Sequence, residues 1–138
     1  MPDVQVKWVD ASQFIGIDSS KHSVVMSDQD EANGVGVSPS DLLAIGLGGC
    51  SAIDVVAIML KKRQKLTGLT INVHSEKDAD PPWTYRKIHI EYVLRGHDLS
   101  PEAIERSIEL AEDKYCAVKS TIAATVEVTH SYRIEEEE

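Results

Sequence analysis

The sequence predicts an α+β fold in which antiparallel sheets pack around a long central helix that carries a cysteine. Three observations support it. Short stretches of period-two alternation occur on both sides of one long apolar run, and such alternation marks half-buried strands. The run itself, Leu42 to Leu60, is 19 residues of nearly unbroken apolar character, opened by Ser38-Pro39-Ser40-Asp41 and closed by Lys61-Lys62-Arg63. The order of elements is strands, helix, strands, helix, strand, which suits an α+β arrangement better than regular βαβ alternation.

Taken in order, Val4, Val6 and Trp8 alternate with Gln5 and Lys7 as the first strand. Gln13 to Ile17 and His22 to Met26 are two further short strands, joined by the turn-prone Asp18-Ser19-Ser20. A polar loop runs through Asp28, Asp30, Asn33 and Gly36. Ser38 is then a good N-cap, Pro39 suits the first helical position and Asp41 completes a capping box. The helix they begin extends to Lys62 and measures about 36 Å at 1.5 Å per residue. After Thr67-Gly68, the residues Leu69, Ile71 and Val73 alternate with Thr70, Asn72 and His74. The loop Asp78-Ala79-Asp80-Pro81-Pro82 leads to a strand with Ile88, Ile90, Tyr92 and Leu94 inside and Lys87, His89 and Glu91 outside. Ser100-Pro101-Glu102 starts a second helix that runs to Lys114. A short helix from Val118 to Ala123 and a strand from Thr125 to Arg133 complete the chain.

One domain accommodates all 138 residues, which is enough chain for a substantial core. The charge of −9 includes the terminal Glu135 to Glu138, expected to be a solvated, partly frayed acidic tail. No Lys/Arg stripe with interleaved aromatics is present, which argues against nucleic acid as a partner. The N-terminus lacks a basic segment followed by an apolar core, so a cytoplasmic location is expected.

The long apolar run could span a bilayer by length. Asp54 inside it opposes insertion by about 2.5–3.5 kcal/mol, and the flanking strands need a surface to pack on, so a core helix is expected rather than a membrane span. A helix apolar on nearly every side must be surrounded by protein. A chain of this size can hardly surround it alone, which predicts a partner subunit.

Two cysteines 66 positions apart, Cys50 and Cys116, are too few for a disulfide scaffold or a structural zinc site. Cys50 follows Gly46-Leu47-Gly48-Gly49, and each helical glycine costs roughly 0.8–1 kcal/mol relative to alanine. Close approach of another backbone would offset that cost and leave Cys50 in a tight crevice. Most free cysteines are simply small buried hydrophobes. Cys116, however, precedes a helix N-terminus with Lys119 nearby, a setting that lowers a thiol pKa. Together the pair suits a thiolate and its resolving partner. Asp54, one turn beyond Cys50, would raise the thiol pKa unless neutralised.

The remaining polar candidates have simpler explanations. His74 and His89 fall on outer strand faces, where surface residues outnumber metal ligands. His130 is expected to be a satisfied, partly buried side chain, and His97-Asp98 a turn before the Ser100 cap. No phosphate loop, nucleotide fingerprint or Ser/His/Asp arrangement appears, and no cofactor or metal is expected.

The stretch Ser38-Pro39-Ser40-Asp41-Leu42-Leu43 leading to Gly49-Cys50, and Tyr115-Cys116-Ala117-Val118-Lys119, resemble the OsmC/Ohr family (osmotically induced and organic hydroperoxide resistance proteins). The order of elements resembles that family over essentially the whole chain. The resemblance implies an intertwined homodimer with the two long helices buried centrally. It also implies Cys50 as the peroxidatic thiolate and Cys116 as the resolving thiol, reducing an organic hydroperoxide to an alcohol, with a dithiol reductant restoring the pair.

This chain departs from the family pattern at three places. The family's arginine in the N-terminal strands has no counterpart, because the first arginine is Arg63. The glutamate at the start of the Cys helix falls on Ser40, and the proline after the second cysteine is Ala117. Lys7 or Lys21 and Asp41 or Glu31 are the candidate replacements for the two charges. The alternative class of function is a non-enzymatic OsmC-fold protein binding a small lipophilic ligand in the groove beside Cys50. A general dithiol oxidoreductase is disfavoured because no Cys-x-x-Cys pair occurs.

Overall fold

The computed structural model describes residues 2–32 and 34–138, so Asn33 of the expected polar loop lies outside the described residues. The chain divides into two compact units, residues 1–44 and 45–138. The long helix begins in the first and continues through the second.

In the N-terminal unit, β1 (Gln5–Asp10), β2 (Gln13–Ile17) and β3 (Ser23–Ser27) form an antiparallel sheet in sequence order. Both faces of β1 are exposed, so the alternation of Val6 and Trp8 with polar neighbours has no buried side within this unit. Asp18 organises the β2–β3 turn by accepting from the Ser20 and His22 backbone N–H groups. The following loop returns to β3 through a parallel bridge between Met26 and Val37. Gly36 makes that return possible, since a Cβ there would lie 2.8 Å from the Met26 backbone.

Helix α1 (Pro39–Lys61) starts as its cap chemistry predicts, with Ser38 Oγ accepting from the Asp41 N–H at 3.2 Å. In the C-terminal unit, β4 (Lys65–Lys77) and β5 (Tyr85–His97) form a long antiparallel hairpin. Helix α2 (Pro101–Leu110) begins at the Ser100 cap, whose Oγ accepts from the Ala103 N–H. The helix expected to reach Lys114 instead gives way at Ala111 to a π turn, Ala111–Tyr115. Cys116 then caps α3 (Ala117–Ile122).

The last strand, β6 (Glu127–Glu136), pairs parallel with β5, so the second sheet is not wholly antiparallel as expected. The cause is the helical connection. Helices α2 and α3 carry the chain back to the end of the sheet where β5 began, as parallel pairing requires. The acidic end is likewise not frayed. Glu135 and Glu136 continue β6 opposite Arg95 and Gly96, Glu137 N–H donates to the Gly96 carbonyl, and its carboxylate accepts from Thr67. Basic and hydroxyl side chains at the ends of β4 and β5 give these carboxylates partners, which composition alone did not reveal.

The core of the second unit lies between this sheet and the helices. Ile88, Ile90, Tyr92 and Leu94 of β5 meet Leu47, Val55 and Met59 of α1 and Ile104 and Ile108 of α2. Each such large side chain contributes about 1.5–3 kcal/mol on full burial. Helix α1 buries only the line Leu47, Gly48, Ser51, Val55 and Met59. Gly48 lies against Val73 and Ile71, whereas a Cβ on Gly46 or Gly49 would meet nothing within 4 Å. The close approach of another backbone expected at these glycines is not made: only Gly48 is approached, by side-chain methyls of β4, and the opposite side of α1 is open. By length and composition α1 could also cross a membrane.

Candidate functional site

The helical phase that buries Ser51 against the sheet leaves its neighbour Cys50 half-buried at the edge of the packed face. From the other direction, the π turn delivers Cys116 to the start of α3, where it is 3% exposed. Both cysteines are free, and Cys50 lies close enough to Cys116 to raise its pKa. Side chains 66 positions apart are therefore brought together by α1 packing over β5 and by the turn that follows α2.

Cys116 Sγ accepts a hydrogen bond from the Lys119 backbone N–H at 3.3 Å, the cap arrangement expected of it. Its pKa nevertheless moves up, not down. Burial is the largest cause and the adjacent Cys50 adds to it, while the Lys119 N–H and the Ser51 hydroxyl oppose the shift without reversing it. The expected acidic Cys116 is thus corrected, because desolvation disfavours the charged thiolate more than one backbone donor favours it.

A polar cluster lies behind the thiols. Tyr92 Oη donates to Glu112 Oε2 at 2.6 Å within the core. Glu112 Oε1 forms an ion pair with Lys119 Nζ at 3.2 Å, and Lys119 also meets Asp113 at 2.8 Å. His130 Nδ1 stands 3.5 Å from Glu112 Oε2, with its ring edge-on to Tyr92. Burial first, then the bond to Glu112, pushes the Tyr92 phenol well above its ordinary range. Ser51 Oγ is buried with no hydrogen bond of standard geometry among the described residues. It lies close enough to the Cys116 thiol and the Tyr92 hydroxyl to draw both pKa values down somewhat.

Sequence reasoning found Cys50, Cys116 and Lys119 but assigned the lysine charge to the thiol, whereas the ammonium is engaged by Glu112 and Asp113. Glu112 went unnoticed, although a signal was present. It falls at i+4 from Ile108 and i+8 from Ile104, so a carboxylate occupies the apolar stripe of the helix expected to run to Lys114. Tyr92 was read only as an inner-face residue. His130 is half-exposed and belongs to this cluster.

Other candidates lie elsewhere. His74 and His89 do face each other in the β4–β5 register, and His89 is engaged by Thr129 and Ser131. No group of three metal-ligating side chains occurs among the described residues. Lys7, Lys21, Glu31 and Asp41, the candidates for the family's two charges, all belong to the N-terminal unit. Asp54 is half-buried on α1.

The OsmC-like protein family model matches residues 29–131. The protein YhfA of Escherichia coli strain K12 is 33% identical over 130 residues, covering 94% of this chain and 96% of that one. Among solved structures, a hypothetical protein from Aquifex aeolicus VF5 superposes with a TM-score of 0.87 at 25% identity, covering 100% of this chain and 98% of the other. The organic hydroperoxide resistance protein OhrB of Bacillus subtilis shares the fold at a TM-score of 0.61 and 14% identity, over 94% and 96% of the two chains.

Proposed function

The chain belongs to the OsmC-like protein family, and from that premise we propose that it is a cytoplasmic, homodimeric thiol peroxidase that reduces organic hydroperoxides through Cys50 and Cys116. The observation that carries this reading is the meeting of the two thiols, one half-buried and one sealed. In the proposed cycle the Cys50 thiolate attacks the distal peroxide oxygen. The O–O bond breaks, an alcohol leaves and Cys50 becomes a sulfenic acid. Cys116 then forms a disulfide with it, releasing water, and an external dithiol restores both thiols. The two thiols supply both electrons, so the cycle calls for no cofactor.

A second copy of the chain is the proposed cover for the open side of α1. Ile45, Ile53 and Leu60 are 57%, 73% and 53% exposed on that helix, beside the unfilled positions at Gly46 and Gly49. Burying these side chains in an interface removes apolar surface from water, at about 25 cal/mol per Å².

A second reading is a ligand-binding protein of the same fold without peroxidase activity, holding a small lipophilic molecule beside Cys50. The lack of any arginine before Arg63 favours it. Hydroperoxide consumption with a dithiol reductant, measured for wild type, Cys50→Ser and Cys116→Ser, separates the two. Turnover abolished by Cys50→Ser and impaired by Cys116→Ser supports the enzyme. Consumption no faster than free thiol retires it.

A further inference from the structure

Glu112 and Lys119 flank Cys116 along the chain, the first on the π turn before it and the second on α3 after it. Their side chains form an ion pair at 3.2 Å and are 1% and 17% exposed. Lys119 also reaches Cys116 from its own backbone, since its N–H donates to the sulfur. Glu112 is tied in turn to β5 through Tyr92. The groups facing this pair are Tyr92 of β5, His130 of β6 and Asp113 of the π turn, while Cys50 and Ser51 of α1 act on Cys116 itself. Burial depresses the Lys119 pKa, but the bonds to Asp113 and Glu112 outweigh it, so the ammonium stays charged.

Stability alone is a weak reason for such a pair. Apolar side chains of similar volume commonly serve a core as well as a buried ion pair, whose desolvation cost is large. What this pair does distinctively is fix the two chain segments that enter and leave Cys116.

We propose that Glu112 and Lys119 are positioning residues whose ion pair holds Cys116 in place for disulfide closure with Cys50. The proposal rests on the thiol-pair reading above and adds residues to it. In the closing step the Cys116 sulfur attacks the sulfur of the Cys50 sulfenic acid formed by the hydroperoxide. The S–S bond forms, the S–O bond breaks, and the departing hydroxide takes the Cys116 proton as water. Neither positioning residue is given a contact with the peroxide in this proposal, so formation of the sulfenic acid is expected to be independent of the pair.

The test uses Lys119→Met, Lys119→Arg and Glu112→Gln, with folding of each followed by circular dichroism. Closure of the Cys50–Cys116 disulfide is timed with diamide, a two-electron thiol oxidant that needs no peroxidase activity. Cys50 sulfenic acid is trapped separately with dimedone after addition of cumene hydroperoxide. Misplacement of a reacting group by about 1 Å can cost on the order of 100-fold, so Lys119→Met and Glu112→Gln are expected to slow diamide closure by about 10- to 100-fold, with trapping within about twofold of wild type. Lys119→Arg restores closure.

Folded Lys119→Met and Glu112→Gln proteins that close at the wild-type rate would overturn the proposal, as would a wild type that forms no internal disulfide with diamide. If Lys119→Met fails to fold, the nearly isosteric Glu112→Gln decides. A wild type inert to hydroperoxide but closing with diamide in the expected variant order retires the peroxidase and leaves the positioning role standing.

Discussion

The Tyr92 hydroxyl and the Glu112 carboxylate, 2.6 Å apart, join the central strand of the second sheet to the π turn before Cys116, in a core otherwise filled by Ile, Leu and Met side chains. A buried carboxylate needs every partner it has. Its hydrogen bond therefore links the packing of β5 to the placement of Cys116.

Tyr92→Phe keeps the ring and removes the donor. The protein is expected to lose about 1–3 kcal/mol in urea denaturation, the cost of leaving a buried acceptor under-satisfied. The mutation also bears on pH. Because the folded-state phenol is raised above its ordinary value of 10.0, its stabilising contribution is complete below that pH and declines as pH rises beyond it. Wild type should therefore weaken above pH 10, and Tyr92→Phe should remove that part of the slope. An identical alkaline slope in both proteins would contradict this.

Alkylation should distinguish the two thiols. Cys50 is half-buried, whereas Cys116 is sealed and its thiol pKa is raised. With iodoacetamide at neutral pH and mass mapping, Cys50 is expected to label first and Cys116 only after denaturant is added. Equal labelling of both in the folded protein counts against the arrangement.

Ile53→Glu places a charge at the most exposed large apolar side chain of α1. In an isolated chain such a change is nearly neutral, within about 0.5 kcal/mol. If a second copy covers this side, sedimentation will show wild type as a dimer and the variant as a monomer with a lowered Tm. A monomeric wild type would withdraw the proposed assembly.

Removal of Glu135 to Glu138 tests the end of β6. A frayed tail would be lost at no cost. Here the deletion takes away the Glu137 N–H bond to Gly96, the Glu136 carboxylate bonded to the Asp98 N–H, and the Glu137 carboxylate bonded to Thr67. At about 0.5–1.5 kcal/mol for each of the three hydrogen bonds, the truncated chain should be about 1.5–4.5 kcal/mol less stable in urea.

Much of the fold is legible in the sequence because local chemistry specifies it. Ser38 and Ser100 mark two helix starts through their own hydroxyls, and the alternation of Ile88, Ile90, Tyr92 and Leu94 identifies the inner face of β5. The π turn is not legible, since Ala111 to Tyr115 contains neither glycine nor proline to signal a change of winding. Strand direction in β6 depends on where α3 releases the chain, a non-local property. At the site, the cysteines are visible by type and context. The sign of the Cys116 shift depends on burial, which no spacing rule reports, and the partner of Lys119 is decided by a carboxylate on an adjoining turn.

The spacing of the two cysteines gives their oxidation a mechanical meaning. A bond between Cys50 and Cys116 would tie a ring 66 positions long, enclosing the second half of α1 together with β4, β5 and α2. In the chain-entropy account, a ring of that size removes about 4 kcal/mol worth of freedom from the unfolded ensemble. Each turn of the proposed redox cycle would then also tighten and loosen the fold. The reduced protein would be the form more open to proteolysis, and the oxidised one the form that survives heat.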